Sequence, residues 1–352
     1  MSEEKTGQKK CLDSKEALGA TIGFNSTPHA YPSNGEAHQA GSFCFSPIKP
    51  SRSYEEQISL LEARGLVVSD REDAAKFLSE ANYYRLSGYW LTLRGEKGFK
   101  SGVSLSDVED IYALDSEVRF WLWSAIAPVE LKLRTSLAYH IARSLGPLGH
   151  EDPVFFRDTK EHGKSMANLR RERDKAQRDG VPCVRHNMEK YGDLPVWAAV
   201  EIMGMGTISR LYGNLSSNAA YEDGKTVKSC VARDFGLKSP YLMSWLRYLT
   251  YVRNICGHHN RFYNRVMTSR PKIMKRDSGI PNTNKQFQVF IILMRLYESS
   301  WPDRWPGMLG ELTKILDSHP AVDLKPMGFP ENWRELLSLE RTPQCREGGS
   351  CG

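Results

Sequence analysis

No stretch of this 352-residue chain is apolar for long enough to cross a bilayer as a helix. The longest uninterrupted apolar run, Val289 to Met294, falls far short of the about 20 residues such a helix needs. The first residues carry no apolar segment behind a basic start, so no secretory signal is expected. The seven cysteines (Cys11, Cys44, Cys183, Cys230, Cys256, Cys345 and Cys351) are odd in number, scattered, and never spaced as Cys-x2-Cys. Neither a zinc site nor a disulfide framework is therefore expected, and a reducing cytoplasm fits. There is no G-x4-G-K-S/T loop, no G-x-G-x-x-G after a strand and no His-Glu-x-x-His. Nucleotide hydrolysis, dinucleotide binding and zinc-peptidase chemistry all lose support, and no cofactor or metal is expected.

What remains is an ordinary globular composition, 40% hydrophobic and 26% charged. The net charge of +6 is a mild basic excess, compatible with a polyanionic partner. Its distribution is uneven. Lys164, Arg170, Arg171, Arg173, Lys175, Arg178, Arg185 and Lys190 form one basic stretch, and Arg261, Arg265, Arg270, Lys272, Lys275 and Arg276 form a second. Such runs are commonly solvated faces; beside a phosphodiester site they become candidate backbone contacts.

Periodicity reads as mainly α, with at most a small β-hairpin between Leu91 and Val103. Residues 1–48 lack periodicity and read as a disordered tail, 49–106 as an N-terminal helical region, 107–339 as the principal helical domain and 340–352 as a flexible tail. Tyr54, Ile58 and Leu61 keep helical spacing, and Ser69 to Glu72 form a capping-box pattern ahead of Ala74, Phe77, Leu78 and Ala81. The segment 82–90, NYYRLSGYW, reads as a core aromatic cluster. The longest helix is expected over 107–145, with Leu122, Ile126, Val129, Leu133, Leu137 and Ile141 inward and a kink at Pro128. Asp115–Arg119 and Glu130–Arg134 are i,i+4 pairs of surface type, and Glu130 and Arg134 lie close enough to the apolar face to support a site. A helix plus an exposed loop is expected over 158–190. Further helices are expected from an Asp193 cap, from Thr207, from Ser239-Pro240, near 286–298 and near 308–317.

The chemistry concentrates in residues 253–265, RNICGHHNRFYNR, with three arginines, two histidines and three asparagines. Leu242, Leu246, Leu249 and Arg253 recur on one helix face, so Arg253 extends an apolar stripe. A guanidinium there is costly unless it is paired or lines a cleft. His258 follows after Gly257, which can loosen or end the helix. An Arg can hold phosphate oxygens in a fork, and a His can move a proton near neutral pH. The competing reading is a paired core arginine and a histidine complementing a helix end; spacing alone favours it, and the density of the cluster brings the two to about even. Cys256, on the Leu249/Val252 side, reads as a small core residue rather than a nucleophile.

Arg253-Asn254 followed by His258 matches the Arg-x4-6-His signature of HEPN (higher eukaryotes and prokaryotes nucleotide-binding) domains. The longer string WLRYLTYVRNICGHHNRFYNR resembles the Abi-like abortive-infection family (the AbiD/AbiF group) of bacterial phage-defence proteins. Four further blocks agree in order: YEEQISLLEARGLVVSDREDAAKFLSEANYYRLSGYW, APVELKLRTSLAYH, LPVWAAVEIMGMGTISRLYGNL and MGFPENWRELL. The likeness runs from about Tyr54 to Leu337, and is distantly similar to the type VI CRISPR effector nucleases, which carry two such motifs.

This resemblance implies a HEPN-type helical bundle acting as a metal-independent endoribonuclease. Arg253, Asn254 and His258 would be catalytic, with Arg253 stabilising the phosphate, His258 moving the proton and Asn254 orienting its ring. His259, Arg261, Asn264 and Arg265 would contact RNA, and His259 also satisfies the broader spacing. A single motif implies a homodimer that pairs two of them. The kinship with CRISPR effectors adds the expectation of a bound structured non-coding RNA, with no membrane partner. The alternative is a HEPN module that binds RNA or regulates without cleaving.

Overall fold

Eighteen positions buried along one helix, α4 (Leu105–Leu145), set the architecture. The computed structural model describes residues 49–280 and 283–339, and the tails read at 1–48 and 340–352 lie outside the described residues. The described residues from 52 to 339 form one compact unit. Before α4 come α1 (Tyr54–Glu62), α2 (Arg71–Ala81) and α3 (Tyr83–Leu86). After it come α5 (Thr159–Arg178), α6 (Pro182–Tyr191), α7 (Val196–Ile202), α8 (Met205–Asn214) and α9 (Val227–Asp234). The chain then continues through α10 (Ser239–Gly257), α11 (Phe287–Ser300), α12 (Trp305–Asp317) and α13 (Trp333–Leu337). The mainly α reading holds. Among the described residues the β content is four isolated bridges, one of them Arg94 with Phe99 inside the expected hairpin stretch.

The capping box of Ser104 and Asp107 starts α4, which then runs unbroken through Pro128. Leu122, Ile126, Val129, Leu133, Leu137 and Ile141 are all fully buried, as their spacing requires. Helices α7, α8, α9, α10, α11 and α12 pack around this rod, and α5 covers α7 and α8. Tryptophans seal the joints with a hydrogen bond each. Trp121 donates to the Met308 carbonyl at 3.0 Å, Trp245 to Lys272 at 2.7 Å and Trp305 to Leu337 at 2.7 Å. A buried indole N–H left unpaired would cost about 1–3 kcal/mol, so these bonds fix which loop lies over which ring.

Four local readings change. Asp70, not Ser69, caps α2, accepting from the Glu72 and Asp73 amides at 2.7 and 3.1 Å. The helix expected from Asp193 begins at Val196, because Asp193 bonds the adjacent Leu194 amide and Pro195 holds extended backbone. The exposed loop expected within 158–190 is a second helix, α6, opened by Pro182 and closed by left-handed Gly192. The Asp115–Arg119 pair is not on the surface: its side chains are almost wholly buried. Among the described residues no helix is long and apolar enough to cross a membrane.

Candidate functional site

Helix α10 carries the motif, and its apolar stripe behaves as the spacing demands. Leu242, Leu246 and Leu249 are fully buried, and Arg253 ends the row with its side chain 33% exposed. Its guanidinium lies over the Trp123 ring of α4, 4.5 Å from the centroid, a cation–π contact worth about 0.5–2 kcal/mol. Its Nε stands 3.7 Å from Glu130 Oε2, an ion-pair distance too long for a hydrogen bond, and is buried with no hydrogen-bond partner. Glu130 is itself held by Arg134, which also donates to the Val200 carbonyl of α7. The two residues read as possible supports thus sit under Arg253.

The helix ends in a paired-amide turn. The Asn260 amide bonds the Ile255 carbonyl at 2.9 Å and the His259 amide bonds Cys256 at 3.0 Å, with His259 at φ 52°. This left-handed position usually holds Gly; a side chain there costs roughly 1–2 kcal/mol. Arg85, reaching over from α3, clamps the His259 carbonyl. Gly257, read as a residue that can loosen or end the helix, is its last helical residue and serves a second need as well. A Cβ on Gly257 would stand 2.8 Å from the Trp123 ring, so the glycine lets α10 approach the aromatic that supports Arg253.

Asn254, His258 and His259 are exposed. A shallow cavity of about 320 Å³ beside Trp123 is lined by Phe120, Cys256, Gly257 and His259, and not by His258. Burial pushes the Cys256 thiol up to about 12, which removes it as a nucleophile and agrees with its reading as a core residue.

Beyond the turn, Asp115 of α4 fixes the chain. Its carboxylate accepts from the Phe262 amide at 3.0 Å, the Tyr263 amide, Tyr89 Oη at 2.7 Å and Arg119 Nε at 3.1 Å. Burial pushes the Asp115 carboxyl above its usual range, against the pull of Arg119, Tyr89 and the Tyr263 amide. Gln286 adds a brace by donating to the Phe262 and Arg265 carbonyls.

The remaining motif residues spend polar groups on the protein. Arg261 donates to the Tyr263 and Asn264 carbonyls at 2.7 and 3.2 Å. Arg265 bonds Tyr251 Oη at 3.2 Å, and Asn264, at φ 48°, accepts from Lys285 at 3.3 Å. In the 164–190 stretch Lys164, Arg171, Arg173 and Arg185 each lie against a carboxylate of their own helix.

Sequence reasoning missed Trp123, Asp115 and the outward face of α4. Asp115 lies seven residues before Leu122, on the buried face, and that register was the available signal. On the opposite side Phe120 is 77% exposed, Leu131 60% and Tyr139 59%, with exposed Trp123 and Ala127 between. These residues repeat at helical spacing and form an apolar stripe beside Arg253, where a monomer would ordinarily present polar groups.

Among the described residues no group of three or more His, Cys, Asp or Glu is arranged to hold a metal. The sequence model of a family described as Abi-like protein matches residues 76–264, just over half of the 352 residues, from within α2 to the end of the motif turn. No curated protein and no solved structure matches the chain.

Proposed function

Because this chain belongs to the Abi-like protein family, we propose that it is a HEPN-type endoribonuclease of abortive-infection phage defence. One observation carries the reading. Arg253 ends an apolar stripe with its guanidinium carbon 4.5 Å from the centre of the Trp123 ring, a carboxylate close but not hydrogen-bonded, and a buried Nε lacking a partner. Among the described residues no hydrogen bond ties this guanidinium to the protein, and its exposed part is open to a phosphate while Trp123 and Glu130 flank its base.

RNA carries its own nucleophile. His258 would take the 2′-hydroxyl proton or return a proton to the departing 5′-oxygen, while Arg253 stabilises the charge gathered on phosphorus. The products are a 2′,3′-cyclic phosphate and a 5′-hydroxyl. Asn254 lies one helical turn from His258 and orients its ring. His259 is the second candidate for the imidazole, favoured by its place in the cavity beside Trp123. The chemistry uses two proton-transfer groups, and one motif supplies one. A two-fold contact through the α4 stripe would place a second motif opposite the first. A bound structured RNA is the remaining expectation, and sequencing RNA that co-purifies with the protein tests it.

Arg253→Ala and His258→Ala are each expected to lower cleavage of a labelled RNA at least about a hundredfold with an unchanged melting profile. Wild-type activity is expected to persist in excess EDTA. Full activity in both variants refutes the ribonuclease reading, and RNA binding without cleavage by the wild type favours the binding-module reading. Loss only in His259→Ala reassigns the imidazole. Light scattering is expected to give a dimer that Leu131→Glu converts to a monomer with little cleavage. A monomeric wild type that still cleaves refutes the composite site.

A further inference from the structure

A groove of about 490 Å³ lies along α10, walled by α8 and the start of α5. Its floor is made by two glycines of α8. A Cβ on Gly206 would sit 3.5 Å from Thr250, and one on Gly213 would sit 3.6 Å from Met243, both on α10. The walls carry Arg157, Arg210 and Arg247. All three are exposed, and among the described residues none has a carboxylate partner. The two carboxylates in the groove are already engaged: Asp158 caps α5, and Glu161 pairs with Lys164 at 2.6 Å. Arg157 donates to the Gly213 carbonyl, which leaves Arg210 and Arg247 as the freer cations.

The groove leads to the motif. Arg247 and Asn254 are seven residues apart on α10, within about 20° of one direction around the helix and about 10 Å along it. No aromatic side chain lines the groove, so it offers nothing for bases to stack on. Arg210 donates one bond to Thr207 Oγ1 at 3.3 Å, and guanidinium forks without a carboxylate partner over a glycine floor suit phosphate oxygens at any sequence.

We propose that this groove holds the phosphodiester backbone of the single RNA strand on which the Arg253–His258 site acts, with Arg210 and Arg247 as its phosphate contacts. The inference rests on the ribonuclease reading but is measured apart from it, through binding by the inactive His258→Ala protein. Fluorescence anisotropy with a labelled twelve-nucleotide single-stranded RNA, over a KCl series, reads the number of phosphates neutralised. Each contact contributes about 0.7 to the slope of log affinity against log salt. Adding Arg210→Gln and Arg247→Gln together is expected to flatten that slope by about 1.4 and to weaken binding at least tenfold in low salt. The matching lysine pair keeps the charge and is expected to keep the slope. An unchanged slope in the glutamine pair overturns the inference. So does an equal loss in the lysine pair, which would trace the effect to the fold. Failure of the ribonuclease reading shows separately, as undiminished cleavage in both Arg253→Ala and His258→Ala.

Discussion

Helix α4 holds the motif segment at two carboxylates, and the two do opposite things. Asp115 is wholly buried, bonded to Arg119, Tyr89 and two successive amides. Glu130, fifteen residues on, is bonded to Arg134 and merely approached by Arg253 at 3.7 Å. Both began as the same sequence pattern, an acid four residues before an arginine. The saturated pair is an anchor, because the Asp115 carboxylate is bonded to four donors inside the protein. The unsaturated pair leaves the buried Arg253 Nε without a hydrogen-bond partner and a third of that side chain open to solvent. Catalytic groups need rigid support with valence to spare, and on the ribonuclease reading one pair would serve position while the other stays incomplete for the phosphate.

Breaking the anchor should have the larger effect. Asp115→Ala strips Arg119 of its partner and leaves the Phe262 and Tyr263 amides unpaired in a dry site. Removing one member of a buried pair typically costs about 3–5 kcal/mol. Thermal unfolding is expected to move down by roughly 10 °C. Hydrogen exchange at the Phe262 and Tyr263 amides should rise before the rest of α10 loosens. Unaltered protection at those two amides would show that Gln286 and Arg85 hold the turn unaided, and the contrast between the carboxylates would collapse.

The two pairs were not distinguishable in the sequence, and the reason is physical. An i,i+4 spacing fixes which side chains can meet on one helix, but the partners that bury Asp115 come from Phe262 and Tyr263, 147 and 148 residues away. By contrast, the Leu242, Leu246, Leu249 and Arg253 stripe was legible because one helix's period decides which face is buried. Gly257 was read as a helix end, and α10 does stop there; its close approach to Trp123 stayed hidden because both roles select glycine. Helix α9 went unseen, being eight residues between turns. The groove arginines were equally hidden, since Arg157, Arg210 and Arg247 lie far apart in the chain and meet only once α8 packs along α10.

Breaking the open pair should have the smaller effect on stability and a selective one on chemistry. Glu130→Gln keeps the shape and one acceptor for Arg134 but removes the charge beside Arg253. A hydrogen bond to a charged group is worth about 1.5–3 kcal/mol, and the amide retains part of it, so a loss of about 1 kcal/mol is expected. Arg253 would still rest on Trp123 yet lose the field that fixes its Nε edge, and kcat for RNA cleavage should fall about tenfold with KM nearly unchanged. Glu130→Asp restores the charge at a shorter reach and should recover part of kcat. A purely structural Glu130 would instead lower stability in both variants and leave kcat per folded molecule untouched. That outcome would make Glu130 a second anchor like Asp115, and the incomplete pairing of Arg253 would lose its meaning for catalysis.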